Sequence, residues 1–169
     1  MTDPIADKET FFRLIEDNKA IIFKICHTYC ADKTYHQDLA QEIIYQIWKS
    51  GHAFESDKKF STWMYRVALN VAISFYRKKS REPDTVALTE QEETLMIPVA
   101  TDIRAEQLTR LQQLINELKE LDRALMLLYL ESKTYREIAE ILGITETNVA
   151  SKINRIKEKL KQKMLPLQS

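Results

Sequence analysis

Residues 134–155 read TYREIAEILGITETNVASKINR and contain the local signals of two short helices joined by a tight turn. Thr134 and Glu137 have the spacing of a capping box, which predicts a helix that begins after Thr134. Gly143 stands where that helix must end, because glycine adopts the left-handed conformation with the least strain. Thr145 then predicts the N-cap of a second helix, with Glu146 in its first turn.

The apolar residues of this segment predict how the two helices pack. The inward faces are formed by Ile138, Ala139, Leu142, Val149, Ile153 and Ile156. The outward face of the second helix carries Asn148, Ser151, Lys152, Asn154, Arg155 and Lys159. This is the pattern of a helix-turn-helix, whose second helix fits the major groove and places basic side chains near phosphates. A helical hairpin with a solvated basic face is the alternative, but the co-occurrence of caps, turn glycine and basic outer helix favours DNA binding.

The composition limits the fold class. The chain has 169 residues, enough for one ordinary domain or two small ones. It contains Gly 2 and Pro 4, and this scarcity of turn formers predicts an all-α fold. No apolar run approaches the roughly 20 residues of a membrane span. The N-terminus lacks the apolar region of a secretory signal, so we expect a cytoplasmic protein without membrane insertion.

Charge is distributed in blocks although the formal net charge is +0. Residues 82–102 contain acidic side chains and neither Lys nor Arg, and they follow a basic run at 77–81. Pro83 and Pro98 stop helices within the acidic block. We therefore expect two small helical domains, 1–81 and 104–169, joined by a flexible acidic linker at 82–103.

Helical periodicity predicts the elements on both sides of this linker. In the first domain it predicts helices over 11–29, 35–49 and 61–79, with Ser61 as the N-cap of the last one. In the second domain it predicts a helix over 103–118 and a following helix capped by Asp122.

Cys26 and Cys30 lie four residues apart on a predicted helix, a poor geometry for a disulfide. We predict buried thiols that pack as small hydrophobic groups, and no metal or cofactor. A metal hydrolase using these cysteines with His27 and His36 is the alternative. Neither a Gly-rich phosphate loop nor a paired carboxylate site supports it.

The first domain carries a second recognisable pattern. Residues 38–49 read DLAQEIIYQIWK, Phe54 follows, residues 60–72 read FSTWMYRVALNVA, and a basic run begins at Arg77. This order closely resembles region 2 of extracytoplasmic-function sigma factors of the sigma-70 family. The helix-turn-helix resembles their region 4, so the resemblance covers most of the chain apart from the linker and the extreme ends.

The resemblance implies a surface for core RNA polymerase on the 38–49 helix. The matching positions are Asp38, Gln41, Glu42, Tyr45 and Trp48, which in the family dock on the clamp helices of the largest polymerase subunit. Without the resemblance, an ordinary solvated helix face is the simpler interpretation of these residues.

The resemblance also implies two DNA surfaces. Positions matching the minus-10 contacts are Phe54, Lys58, Lys59, Asn70, Ser74 and Arg77. An aromatic ring beside lysines suits single-stranded DNA, although Phe54 and Phe60 have the alternative role of core anchors for their loop. Positions matching the minus-35 contacts are Ala150, Ser151, Lys152, Asn154 and Arg155. Ala150 and Asn154 stand where many relatives carry larger or basic residues.

The resemblance therefore implies a sigma factor without enzymatic chemistry of its own. Its implied partners are core RNA polymerase, promoter DNA and an anti-sigma factor that sandwiches between the two domains. The acidic linker would run through the polymerase near the RNA exit path. A conventional helix-turn-helix regulator, dimeric and bound to a palindrome without polymerase, is the alternative, but it leaves residues 54–81 without an obvious use.

Overall fold

A computed structural model describes residues 8–30, 32–55, 57–81 and 103–165 of the chain. Within these ranges the fold consists of eight α-helices and contains no β-strand, which confirms the all-α prediction. The helices are α1 (Lys8–Asp17), α2 (Lys19–Tyr29), α3 (Lys33–Ser50), α4 (Phe60–Arg81), α5 (Ile103–Asn116), α6 (Glu120–Leu130), α7 (Tyr135–Leu142) and α8 (Glu146–Met164). The predicted linker lies outside the described residues except for Ile103, which is the first residue of α5.

Helices α1 to α4 form the first domain. The predicted helical block at 11–29 is divided at Asn18, whose side-chain amide donates to the carbonyl of Leu14 at 2.8 Å and closes the end of α1. Completely buried side chains on α2, α3 and α4 form the centre of this domain: Ile25, Leu39, Ile43, Ile47, Met64, Ala68 and Ala72. Burial of these apolar groups is the main favourable contribution to the stability of the domain.

An aromatic cluster closes one end of the first domain around Phe11. The Phe11 ring packs edge-on against Trp48 at 4.9 Å and against Phe60 at 5.9 Å between centroids. A 3₁₀ turn at Gly51–Ala53 follows α3 and passes directly over this ring. A Cβ atom at Gly51 would lie 2.9 Å from the Cζ atom of Phe11, so the close approach of the turn to this ring requires glycine.

Helices α5 to α8 form the second domain, and α7 and α8 are the predicted helix-turn-helix. The capping box is present, since the Thr134 hydroxyl accepts from the Glu137 amide and the Glu137 carboxylate accepts from the Thr134 amide, each at 3.1 Å. Gly143 has φ 72°, in the left-handed region. The Thr145 hydroxyl caps α8 by accepting from the Asn148 amide at 3.1 Å. Each local signal in this segment is confirmed.

Two predicted N-caps were wrong by one turn or less. Asp122 lies inside the first turn of α6, because the Arg123 amide already donates to the Lys119 carbonyl at 2.9 Å. Ser61 lies inside α4, because the Trp63 amide donates to the Lys59 carbonyl at 3.3 Å. The helices begin at Phe60 and Glu120, one and two positions before the predicted caps, because the carbonyls of Lys59 and Lys119 already accept the first helical hydrogen bonds.

The two domains pack directly against each other. Helices α6 and α7 contact α4, and α6 also contacts α2. The buried side chains of both domains form one continuous core cluster. None of the helices in the described part of the chain is long and apolar enough to cross a membrane.

Gly51 provides a test of the aromatic cluster. We expect Gly51→Ala to lower the free energy of unfolding by about 1–3 kcal/mol, because the new methyl group overpacks a ring that is held on several sides. Urea unfolding followed by far-UV circular dichroism measures this change. The same substitution in a Phe11→Leu background should have a much smaller effect, and equal effects in the two backgrounds would contradict the steric cause.

Candidate polymerase and nucleic-acid interfaces

A cleft of about 850 Å³ lies between α3 and α4. The α3 side carries Asp38, Gln41, Glu42, Tyr45 and Gln46, and the α4 side carries Asn70, Val71, Ser74, Phe75, Lys78 and Lys79. One wall therefore has carboxylates and the opposite wall has ammonium groups and short hydrogen-bonding side chains. Residues assigned from the sequence to two different partners meet across this single cleft.

The five predicted polymerase contacts form an exposed row along α3. Asp38, Gln41, Glu42 and Tyr45 recur at helical spacing on one face, and Trp48 continues the row one turn further. Ile44 is exposed beside them, so the surface combines acidic and large apolar groups. Trp48 stays partly exposed although its ring also packs on Phe11.

The predicted minus-10 residues on α4 differ in their surroundings. Asn70 and Ser74 are exposed, lie one turn apart and both line the cleft. Arg77 is turned towards the second domain, where its Nε donates to the Glu120 carboxylate at 2.7 Å. This hydrogen bond is the main cause that lowers the pKa of Glu120.

The loop before α4 buries its aromatic residue and exposes its lysines. Phe54 is buried, 8% exposed, and packs on Phe60 at 5.3 Å and on Trp63 at 5.5 Å, which is the geometry of a core anchor. Lys58 and Lys59 are exposed. A small cavity of about 160 Å³ runs along the Phe54 side chain and is also lined by Lys58, Arg66 and, from α7, Glu140.

Helix α8 presents the predicted minus-35 residues. Ser151, Asn154 and Arg155 are exposed, whereas Ala150 and Lys152 are half-buried at the edge of the same face. Val149, Ile153 and Ile156 are buried on the opposite face, as predicted. Two other basic residues of α8 bond within the domain: Lys157 donates to the Tyr129 hydroxyl at 3.1 Å, and Lys163 pairs with Glu117 at 3.9 Å.

Cys26 and Cys30 are buried free thiols, as predicted. Burial raises the pKa of each thiol to about 11, which disfavours the reactive thiolate. His27 and His36 pack edge to face at 5.4 Å between centroids. Across the residues that the structure describes, no group of three or more His, Cys, Asp or Glu side chains has the arrangement of a metal site.

Sequence reasoning missed Arg123, a buried charged residue at the contact between the domains. This residue is 7% exposed and lies on α6, where Ala124 and Leu125 are fully buried. A charged side chain inside an apolar helix is a signal of a buried polar partner. The sequence does not show which distant groups supply that partner.

Two family models match the sequence: Sigma-70 region 2 over residues 14–82 and Sigma-70, region 4 over residues 108–160. The ECF RNA polymerase sigma factor SigW of Bacillus subtilis is 28% identical, with 95% of this chain and 92% of the relative covered. The chain belongs to the sigma-70 family, in its extracytoplasmic-function group. As a sigma factor it binds core RNA polymerase and directs promoter-specific initiation.

Another relative agrees with this family, and two solved structures share the fold. The RNA polymerase sigma-H factor of Pseudomonas aeruginosa is 27% identical to this sigma factor, over 95% of the chain and 89% of the relative. CnrH, solved in complex with the cytosolic domain of CnrY, has a TM-score of 0.69 at 18% identity, covering 98% of this chain and 94% of that one. RpoE of Bartonella quintana, solved with the anti-sigma factor NepR, has a TM-score of 0.65 at 19% identity, covering 96% and 98%. The two structures show the same all-α fold with two domains.

Gly143 tests the turn that orients α8 in this sigma factor. A Cβ atom there would meet no other group within 4 Å, so the requirement for glycine comes from the backbone alone. We expect Gly143→Ala to lower the free energy of unfolding by about 1–2 kcal/mol, and Gly143→Asn to lower it by less, because Asn tolerates the left-handed region. Thermal unfolding of both variants measures the difference. An Asn variant less stable than the Ala variant would contradict this cause.

Proposed function

We propose that this sigma factor divides its work among three surfaces: α3 docks on core polymerase, α4 with its preceding loop holds opened minus-10 DNA, and α8 reads duplex minus-35 DNA. The observation that carries the proposal is the cleft between α3 and α4, which sets the acidic row of one helix beside Asn70 and Ser74 of the other. The corresponding division of the chain is a first domain at 1–81, a linker at 82–103 and a second domain at 104–169.

The chemistry of α3 supports a protein partner with basic groups. Asp38 and Glu42 offer carboxylate acceptors, and the exposed Ile44, Tyr45 and Trp48 give the same surface a large apolar area. Aromatic groups are enriched in protein interfaces, while a purely solvated helix face would expose fewer large apolar side chains. The alternative of an ordinary solvated face is therefore less favoured.

The α4 surface supports contact with single-stranded DNA. Asn70 and Ser74 are short hydrogen-bonding side chains on one exposed face, and Lys78 lines the same cleft. Lys58 and Lys59 add positive charge at the start of the helix, where a backbone phosphate would be attracted. Because Phe54 is packed in the aromatic cluster, its proposed role is to form part of the wall of the small cavity beside Lys58. Stacking of Phe54 on a flipped base would require its ring to rotate out of this cluster.

The α8 surface supports duplex recognition. Ser151, Asn154 and Arg155 point away from the buried face, and Asn and Arg are side chains that pair with base edges in the major groove. Lys152 flanks them and fits a phosphate contact. The sigma factor supplies no chemistry in this scheme, because polymerase makes the RNA. Work with polymerase on the chromosome places the protein in the cytoplasm.

An anti-sigma factor is a further part of the proposal. The two solved neighbours are held in complexes with CnrY and NepR, respectively. In this chain a mainly apolar groove of about 670 Å³ is lined by α2 and α3 and, from the second domain, by Gln112 and Asn116 of α5. A partner in this groove would contact both domains at once. A partner in this groove would lie beside the two packed domains, whereas the sequence resemblance implies an anti-sigma factor that lies between them.

Transcription in vitro tests the DNA surfaces. Purified chain, bacterial core polymerase and genomic promoter fragments should give new RNA starts that depend on the chain. We expect Arg155→Ala and Asn70→Ala each to reduce these transcripts by about 5- to 150-fold, since a lost base contact costs about 1–3 kcal/mol. Lys163→Ala and Lys19→Ala are the matched controls, because both lysines form surface ion pairs away from the proposed contacts.

Two results would contradict this assignment of the DNA surfaces. The first is equal transcript loss in the controls. The second is tight binding of the chain alone to a palindrome without any effect of core polymerase, which would favour the conventional regulator.

Polymerase binding tests the α3 surface separately from DNA. We expect the double variant Asp38→Lys/Glu42→Lys to weaken association with core polymerase at least about tenfold, because like charges across an interface cost several kcal/mol. Size-exclusion co-elution and fluorescence titration measure this change. The control Glu16→Lys/Asp17→Lys makes the same charge change on exposed positions of α1. Equal weakening by both double variants would argue against a specific α3 contact.

A further inference from the structure

The groove of about 670 Å³ between the first domain and α5 has the features of a small-molecule site. Cys26, Cys30 and Ala40 contribute apolar or weakly polar surface to its walls on α2 and α3. The Phe23 ring also lines the groove and is 64% exposed, although it is a large apolar group. Small-molecule sites are concave, mostly apolar and typically about 300–1,000 Å³ in volume. The groove matches such a site in size and in lining.

The polar groups of this groove favour a ligand with negative charge. They are basic or neutral side chains without a carboxylate among them: His27, Lys33, His36, Gln37, Gln112 and Asn116. Basic groups beside an apolar surface attract an anion that also carries an apolar body. The cleft between α3 and α4 differs, because it has carboxylates on one wall and ammonium groups on the other and so does not select one sign of charge.

The two thiols of the groove add no negative charge of their own. Burial raises the pKa of Cys30 to about 11, and the charges of Asp32 and Asp38 add to this effect, whereas Lys79 opposes it. Burial likewise raises the pKa of Cys26 to about 11. Both thiols are therefore protonated at neutral pH, and neither aspartate lines the groove.

The two histidines form one cluster across α2 and α3. Their rings pack edge to face at 5.4 Å between centroids. The pKa of His36 is lowered first by burial and then by the charges of His27 and Lys33, against a hydrogen bond with the Cys30 backbone. His36 is therefore neutral at pH 7. An anion beside it would offset the neighbouring positive charges, so anion binding and protonation of His36 favour each other.

Helix α5 supplies the opposite wall with neutral donors. Gln112 and Asn116 lie one turn apart, and the side-chain nitrogen of Gln112 donates to the Asn116 side-chain oxygen at 3.3 Å. The amide group of each residue carries two N–H donors, which suit the oxygen atoms of a carboxylate. The second domain thus adds hydrogen-bond donors to the groove without adding charge.

We propose that this groove binds a small amphiphilic anion, a free alkyl or aryl carboxylate whose apolar body lies against Phe23 and whose carboxylate faces Lys33 and the two histidines. The inference goes beyond the proposed function, which gives the same groove to a protein partner. The two occupants would fill the same space, so a bound anion would displace that partner, and this competition rests on the proposed function. Binding of the anion depends on the groove alone.

Isothermal titration calorimetry on the full chain tests the selection of charge. The probes are decanoate, decanol and decylammonium, which share one chain length and differ in the charge of the head group. We expect saturable binding of decanoate, at least about tenfold weaker binding of decanol and still weaker binding of decylammonium, because charge-assisted hydrogen bonds are the stronger ones and like charges repel. Equal binding of the three probes, or no saturable binding of decanoate, would overturn the proposal.

The double variant Lys33→Gln/His27→Gln tests the basic side of the groove. Its matched control, Lys49→Gln/His52→Gln, makes the same changes at exposed positions that do not line the groove. We expect the groove variant to bind decanoate at least about tenfold more weakly and decanol with unchanged affinity, while the control binds both as the wild type does. A groove variant that binds decanoate as tightly as the control would contradict the assignment.

The variant Phe23→Gln tests the apolar side. Phe12 on α1 is 52% exposed and lies outside the groove, so Phe12→Gln is the matched control. We expect Phe23→Gln to weaken decanoate and decanol alike by about three- to tenfold, since the apolar surface that covers the alkyl chain is lost. Equal affinities of the two variants would argue against contact of the alkyl chain with Phe23.

The pH dependence tests the histidines. Lowering the pH from roughly 8 to roughly 6 should strengthen decanoate binding about three- to tenfold, because histidines that become cations attract the carboxylate. Decanol carries no charge, so its affinity should stay constant and reports any change of the groove itself. A decanoate affinity that does not rise at the lower pH would overturn the role given to the histidines.

A membrane surface also combines anionic groups with alkyl chains, and sedimentation with vesicles of phosphatidylglycerol separates this source from a free ligand. We expect the chain to remain in the supernatant. Sedimentation that the Lys33→Gln/His27→Gln variant abolishes would assign the groove to a lipid surface and overturn the proposal of a free ligand.

None of these measurements needs polymerase, promoter DNA or a protein partner. Failure of decanoate to bind would therefore leave the proposed function unaffected, and failure of the chain to start transcription would leave the anion site unaffected.

Discussion

Helix α4 contacts the core of the first domain, the second domain and the cleft with three different faces. The structure of this sigma factor depends on which of its side chains lie on each face. Met64, Ala68 and Ala72 are completely buried and face the core of the first domain. Tyr65 and Tyr76 face the second domain, where Lys133 lies over the Tyr65 ring and Arg123 over the Tyr76 ring. The remaining face, with Asn70 and Ser74, lines the cleft. Because each residue turns the helix by about 100°, a shift of one position would exchange these faces.

The features that the sequence predicted correctly are local. The capping box at Thr134, the left-handed Gly143 and the cap at Thr145 each involve residues within three positions of one another, and their geometry follows from backbone rules. The caps at Ser61 and Asp122 failed because two nearby positions could each begin the helix, and a polar side chain alone does not choose between them. Local rules therefore fixed the helices to within one turn.

The features that the sequence did not predict join residues far apart in the chain. Arg123 bonds to Thr28 and Tyr76, and Glu120 bonds to Arg77. No spacing rule connects these positions, since their proximity depends on how the two domains pack. Phe54 shows the same limit in the proposed site, because its sequence context fits both a base-stacking ring and a core anchor. Its contacts with Phe60 and Trp63 correspond to the core anchor.

The neutral net charge has a structural counterpart in the contact between the domains. A chain with basic patches for DNA would bind phosphate backbones without selectivity if those patches were always exposed. Here Glu120 pairs with Arg77 and Glu131 pairs with Lys24, so part of the positive charge is neutralised inside the molecule. Exposed ion pairs of this kind are individually weak, typically about 0–1 kcal/mol. They can therefore yield to a partner that offers many contacts together, and polymerase and promoter DNA acting jointly fit this requirement better than DNA alone.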